Sequence, residues 1–71
     1  MNIKLLTQRQ RQVIDALIEH GTEKGAAKAL GIARSTLSES LQTSRRRAYA
    51  KTTWQLVAGH AVAKALEEVA A

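Results

Sequence analysis

Apolar residues recur at helical spacing along most of this chain, and the first such stretch lies between residues 8 and 20. Its apolar side chains fall at i, i+1, i+4 and i+5, on one face of an α-helix: Val13, Ile14, Leu17 and Ile18. Thr7 precedes them and forms, with Gln10, the Thr-x-x-Gln spacing of a capping box. Gly21 suits the left-handed position after a last helical turn. The pattern predicts a helix over residues 8–20, with Leu5 and Leu6 packing against the core.

Two further helices are predicted next, separated by a glycine. Thr22 is a second N-cap residue, and Gly31 ends the helix that it begins. The inner face of that helix is formed by small or apolar residues: Ala26, Ala27 and Leu30. A third helix then covers about residues 34–45, with Leu37 and Leu41 on its buried side. The result is a pair of helices joined by a tight turn.

The last apolar stretch lies in residues 52–71 and has the spacing of an amphipathic helix. On a helical wheel of about 100° per residue, its apolar side chains fall within about 140° of arc. We call them the apolar stripe: Trp54, Ala58, Ala61, Val62, Ala65, Leu66 and Val69. His60 falls on the opposite, polar face and is expected at the surface. Two interpretations are open: the stripe covers the core of its own chain, or it pairs with a second subunit in a homodimer.

Composition favours an all-α fold in a single small domain. The chain has 71 residues, thirteen alanines and no cysteine, proline or phenylalanine. Helix formers therefore dominate, and the aromatic and β-branched runs that favour strands are scarce. We expect a helix-turn-helix unit over residues 1–51 and a C-terminal helix over residues 52–71. A chain this short buries little apolar surface and has no disulfide to compensate, which favours dimerisation.

The net charge of +5 is concentrated in the first two thirds of the chain. Residues 1–51 carry ten Lys or Arg and four Asp or Glu, whereas residues 52–71 carry one Lys and two Glu. A small basic domain of this kind most often binds nucleic acid. No apolar run approaches the ~20 residues of a membrane span, and no signal-peptide pattern opens the chain. We expect a cytoplasmic, nucleoid-associated protein that binds double-stranded DNA and no membrane.

Residues 21–41 combine small residues at helix contacts, a glycine turn and a helix that starts with arginine. The residues that define this pattern are Gly21, Ala26, Ala27, Leu30, Gly31, Ile32, Arg34, Ser35, Thr36, Leu37 and Leu41. They resemble the helix-turn-helix of Fis and NtrC-type DNA-binding domains. The opening Leu6-Thr7-x-Arg9-Gln10 resembles instead the first helix of LuxR-type and sigma-factor domains. The match covers residues 6–47 and implies a bacterial or phage transcriptional regulator whose third helix enters the DNA major groove. Fis-style dimerisation does not carry over, because almost nothing precedes the first helix.

One side of the third helix is wholly polar. Arg34 lies at its start, and arginine is the side chain best suited to guanine O6 and N7. We expect the base-reading residues to be Arg34, Ser35, Ser38, Glu39 and Gln42. We expect contacts to the DNA backbone from Thr36, Lys24, Lys28, Arg45, Arg46 and Arg47. Arg9 or Arg11 adds to these, and Tyr49 and Lys51 follow the arginine run. A solvated basic turn is the alternative interpretation of that run.

Nothing in the sequence favours an enzyme. His20 and His60 each lack a second ligand at i+3 or i+4, and the glycines are too scattered for a phosphate-binding loop. We therefore predict no catalytic residue, no metal and no cofactor. A sequence-specific DNA-binding regulator is the preferred function. The alternatives are a DNA-packaging or recombination accessory factor, and a small protein that inhibits a host protein such as RNA polymerase.

Overall fold

The fold is all-α, and the computed structural model describes residues 2–70. A short 3₁₀ helix precedes four α-helices. Their bounds are Ile3–Leu5 for the 3₁₀ helix, then Gln8–His20 for α1, Glu23–Leu30 for α2, Arg34–Arg47 for α3 and Thr53–Ala70 for α4. Within residues 2–70 there is no β-strand. The all-α prediction is therefore confirmed.

Helix α1 begins and ends where the sequence predicts. The Thr7 hydroxyl accepts a hydrogen bond from the N–H of Gln10 at 3.1 Å, and the Gln10 side chain accepts one from the N–H of Thr7 at 2.9 Å. These two bonds complete the capping box. At the other end, Gly21 has a φ of +75° and donates its N–H to the Leu17 carbonyl at 2.9 Å. Both ends are set by residues within or next to the helix.

Helix α2 is also bounded by its own cap residues. The Thr22 hydroxyl accepts from the N–H of Gly25 at 3.0 Å. At the C-terminal end, Gly31 has a φ of +70°, a left-handed conformation that glycine adopts without steric cost. Residues 31–33 are the whole connection between α2 and α3. Gly31 thus allows the chain to change direction within three residues.

Helices α1, α2 and α3 share one core. Its buried apolar side chains include Val13 and Ile14 from α1 and Leu37 from α3. Helix α2 contributes Ala26 and Ala27, both buried. Small side chains at these positions let the neighbouring helices approach closely, as the sequence predicts.

The N-terminal segment closes one end of this core. Ile3 and Leu6 are buried, whereas Leu5 is 42% exposed, so only the second of the two leucines packs as predicted. The N–H of Asn2 donates to the carbonyl of Ala48 at 2.8 Å. The segment is therefore tied to the end of α3.

A short turn joins α3 to α4. Helix α3 continues two residues beyond the predicted residue 45, and the chain then turns through residues 48–52. Ala48 and Ala50 are buried in this turn, while Tyr49 has a φ of +60°. The Thr52 hydroxyl then accepts from the N–H of Gln55 at 3.1 Å and caps the start of α4.

Helix α4 packs with a different face from the one expected. Leu56 and His60, one turn apart, are fully buried, and Ala63 is half-buried on the same side. The apolar stripe that starts at Trp54 points into solvent. The interpretation of the stripe as cover for its own core is therefore wrong, and so is the prediction of a surface His60. The reason is that His60 finds a hydrogen-bond partner, Asp15, on α1.

Candidate nucleic-acid interface

Three buried residues fix the rotation of α3 about its axis. Leu37, Leu41 and Ser44 are buried against the other helices and lie within about 60° of arc on a helical wheel. The opposite side of the helix is exposed along its length, and its side chains are Ser35, Glu39, Gln42, Thr43 and Arg46. We call this side the polar face of α3. It includes three of the five residues that the sequence predicts to contact DNA bases, Ser35, Glu39 and Gln42.

The first turn of α3 is exposed as well. Arg34 and Thr36 are exposed, and Ser38 is half-buried. Ala33 precedes the helix and provides no side-chain cap, so the first backbone N–H groups of α3 have no side-chain acceptor there. Four of the five predicted base-reading residues thus lie in solvent, with Arg34 at the positive end of the helix dipole.

Ser38 and Gln42 also border a groove between α1, α3 and α4. The groove has a volume of about 680 Å³, and its walls include Leu17, Val57 and the exposed Trp54. Apolar surface therefore lies directly beside the polar face. The two polar side chains lie at the margin of that face rather than at its centre.

The three arginines at the end of α3 differ in their surroundings. Arg45 donates from Nη1 to the carbonyls of Ala50 and Lys51, both at 3.3 Å. Arg47 donates from Nε to the carbonyl of Leu5 at 2.6 Å. Arg46 is exposed. Arg45 and Arg47 therefore hold neighbouring segments of the chain, and Arg46 is the arginine best placed to contact a phosphate.

The other predicted backbone contacts are distributed over α1 and α2. Lys24, Lys28 and Arg9 are exposed. Arg11 instead donates from Nη2 to both carboxylate oxygens of Glu67 on α4, each at 3.0 Å. Of the two α1 arginines, Arg9 is therefore the one available to a negatively charged partner.

A polar cluster that the sequence did not predict joins α1 to α4. His60, 1% exposed, lies with Nε2 at 2.7 Å from Asp15 Oδ1, and Lys64 Nζ donates to the same oxygen at 3.3 Å. Because a carboxylate only accepts hydrogen bonds, His60 Nε2 is the donor. Its other ring nitrogen, Nδ1, is buried with no partner among residues 2–70.

The surroundings of Asp15 change its acidity. Partial burial raises the pKa of Asp15, but the hydrogen bonds and charges of His60 and Lys64 outweigh burial and lower that pKa below its ordinary value. The carboxylate is therefore ionised at neutral pH and holds the two side chains of α4. The cluster explains how a helix with a polar inward residue stays attached to the core.

The apolar stripe is a row of exposed apolar side chains along α4. Its bulky side chains are strongly exposed, with Trp54 at 83%, Val62 at 60%, Leu66 at 65% and Val69 at 85%. Ala58, Ala61 and Ala65 between them are exposed too. Isolated apolar side chains are common on protein surfaces, but a continuous row along one helix is typical of a contact surface.

The fold and its surfaces define a small four-helix protein with one polar helix face, one apolar helix face and a basic first part. Across residues 2–70, no group of three or more His, Cys, Asp or Glu side chains is arranged to hold a metal ion. Over the same part of the chain, no helix is both long and apolar enough to cross a membrane. Comparison with protein-family models, with curated proteins and with solved structures finds no match to this chain.

Proposed function

We propose that this protein binds double-stranded DNA in a sequence-specific way by inserting α3 into the major groove. The observation that carries the proposal is the polar face of α3, which is solvent-exposed along the helix, together with the exposed Arg34 at the start of the helix. A major groove ~12 Å wide admits an α-helix, and side chains in its first turns then reach base edges. Arg34, Ser35 and Glu39 are the residues that we assign to base reading.

The distribution of charge supports the same function. Residues 1–51 hold nearly all of the excess positive charge, and Lys24, Lys28 and Arg46 are exposed there. Side chains of this type bind phosphate oxygens and release counterions from DNA. We infer that they position the protein on the duplex, and that binding weakens steeply as salt concentration rises.

We infer in addition that the protein acts as a homodimer that pairs through the apolar stripe of α4. One recognition helix covers only a half-site, and two of them about 34 Å apart cover a palindrome. The four large side chains of the stripe are 60–85% exposed and follow one line along α4. A row of this kind is a common form of contact surface. A dimeric transcriptional regulator of bacterial or phage origin, associated with the nucleoid, fits these features.

Selection of bound fragments from random DNA at two salt concentrations tests the function. We expect enrichment of a palindromic site whose half-sites are centred about one helical turn apart, with a large loss of total binding at the higher salt. The matched control is the double variant Arg34→Ala with Ser35→Ala, which keeps the fold because both side chains are exposed. It should retain salt-dependent binding and lose the enriched site. Recovery of random sequences by the wild-type protein would contradict sequence recognition.

A protein-binding role is the second candidate, because the groove beside Trp54 and the apolar stripe form apolar surface next to the polar face of α3. In that case the target would be a protein such as RNA polymerase, and its capture would not depend on salt. Failure to bind any duplex at low salt, together with salt-insensitive capture of a defined protein target, would favour this role over DNA binding.

A further inference from the structure

Tyr49 occupies a backbone conformation that is unfavourable for tyrosine. The N–H of Tyr49 donates to the carbonyl of Arg46 at 3.1 Å, and the N–H of Ala50 donates to the carbonyl of Arg45 at 2.9 Å. This pair of bonds is the Schellman ending of a helix, in which the first residue past the cap is left-handed. Tyr49 has a φ of +60°, whereas Gly21 and Gly31 fill the comparable positions after α1 and α2.

The Tyr49 side chain does not pack in the interior of the protein. Ala48 and Ala50, on either side, are buried at 0% and 4% exposure, while Tyr49 is 75% exposed. A left-handed residue other than glycine or asparagine is unfavourable because Cβ approaches the backbone. Because the phenol ring is exposed, its burial does not compensate for the strain or the conformational entropy cost of the turn. Residues in unfavourable backbone conformations cluster at functional and ligand-binding sites.

The turn presents Tyr49 from a fixed position next to positive charge. Arg45 and Arg47 tie the turn to the carbonyls of Lys51 and Leu5, so the backbone on both sides is held. Arg46, which accepts the Tyr49 N–H, lies on the polar face of α3, and Lys51 is exposed two residues later. Tyr49 thus stands in the chain between two exposed cations, just past the C-terminal end of α3.

We propose that Tyr49 is a phosphate-binding residue of the DNA interface, with its phenol hydroxyl donating to a phosphate oxygen that Arg46 also contacts. This inference rests on the proposed function, because it needs a nucleic-acid backbone as ligand. A hydroxyl donor on a turn whose backbone is held, three residues after an exposed arginine, is suited to an anionic oxygen and carries no base information. The side chain then explains why glycine, the more stable residue here, is absent.

Chemical modification tests the contact without a substitution. Tyr49 is the only tyrosine of the chain, so the 3-nitrotyrosine formed by tetranitromethane, measured by its own absorbance, reports on this side chain alone. A mixed-sequence duplex of ~20 base pairs, about two helical turns, should slow the nitration severalfold. Equal nitration rates at a saturating duplex concentration would overturn the proposal. Protection that increases with protein concentration without DNA would overturn it too, because the tyrosine would then lie in a contact between copies of the chain.

Two variants separate binding from stability. Tyr49→Gly should raise Tm by several degrees, since it removes the strain, and should weaken duplex binding about tenfold. Tyr49→Phe keeps the ring and the strain, so Tm should stay near wild type while binding weakens similarly. A more stable Tyr49→Gly protein with wild-type affinity would refute the assignment. If Arg34→Ala loses site preference and Tyr49→Gly binds normally, this inference fails alone; if the wild-type protein binds no duplex, the proposed function fails with it.

Discussion

Arg45, Arg46 and Arg47 are consecutive in the sequence but have different surroundings in the structure. Successive side chains of a helix point about 100° apart, so adjacency does not place them on one surface. The last carbonyls of a helix and of nearby turns need donors, and a guanidinium with five N–H groups supplies several. Arg45 and Arg47 serve that need, which leaves Arg46 for a partner.

The first prediction compares Arg34 with Arg46. Arg34→Ala should cost roughly 1–3 kcal/mol on the preferred site and relax the preference at one base pair, because a bidentate contact to guanine is lost. Arg46→Ala should weaken binding to all sequences alike and reduce the salt slope by about one. Fluorescence anisotropy on specific and random duplexes at several salt concentrations measures both. Equal losses on the two duplexes for both variants would contradict the assignment.

The second prediction concerns the acid side of the stability profile. The pKa of Asp15 is lowered in the folded protein. Its carboxylate therefore stabilises the fold fully when the pH is above the pKa of an unfolded aspartate, about 3.9, and progressively less as the pH falls through the lower pKa of the folded state. Asp15→Asn should therefore lower Tm at pH 7 and have little effect near pH 2. Thermal melts followed by circular dichroism measure this difference.

The control for that series is Glu19→Gln, which changes an exposed carboxylate on the same helix. We expect its profile to stay close to that of the wild-type protein. A Tm deficit of Asp15→Asn that is the same at every pH would mean that packing, and not charge, attaches α4 to α1.

At the scale of the helices, local signals account for what the sequence predicts correctly. The bounds of α1 and α2 follow from Thr7, Thr22 and two glycines, because caps act within one turn. The inward face of α4 does not follow from such signals. It needs Asp15, which is 45 residues away from His60, and a hydropathy pattern assigns a histidine to the solvent side. The end of α3 lies two residues beyond the predicted one, and a tyrosine stands where a glycine would mark it.

In the candidate site, too, some features follow from the local sequence and others from contacts between distant residues. Which residues of α3 are exposed follows from the positions of Leu37 and Leu41, and the wheel predicts it well apart from Ser38. Which cations remain available does not follow, since Arg11 and Arg47 are used in contacts with distant residues. Which partner a long cationic side chain contacts depends on how the helices pack.

The third prediction tests the packing of α2. Ala27 is buried between helices, so Ala27→Leu forces extra volume into a close contact and should cost about 1–3 kcal/mol. In a domain this small, that is a large part of the total stability. Urea denaturation measures the change. Ala29→Leu is the matched control, because Ala29 is exposed on the same helix; a similar loss in both variants would show that helix crossing is not the cause.

At the scale of the whole molecule, the two long faces of the protein have opposite character. The polar face of α3 belongs to the basic part of the chain, whereas the apolar stripe belongs to residues 52–71, which carry a net negative charge. The proposed function requires this separation, with one surface for DNA and another for a second subunit.

The fourth prediction tests that dimer. Trp54→Ala with Leu66→Ala should convert a dimer into a monomer at about 100 μM. This concentration is well above the dissociation constant that a functional dimer of a regulator would have. Helical content should stay near wild type because both side chains are exposed. Light scattering measures the mass, and anisotropy should reveal a large loss of affinity for a palindromic duplex. Leu5→Ala removes an exposed apolar side chain outside the stripe and is the control. A wild-type protein that stays monomeric at this concentration would reject the dimer.

Hydrogen bonds connect the N-terminal segment to the end of α3, so we expect the two segments to open together. The Asn2 N–H is bonded to Ala48, and the Leu5 carbonyl to Arg47, so opening one segment releases the other. Amide protons that share an opening event have a common opening free energy and so equal protection from exchange relative to their intrinsic rates. The Asn2 amide, although second in the chain, should therefore be protected as strongly as that of Ala50, and Arg47→Ala should reduce the protection of both together.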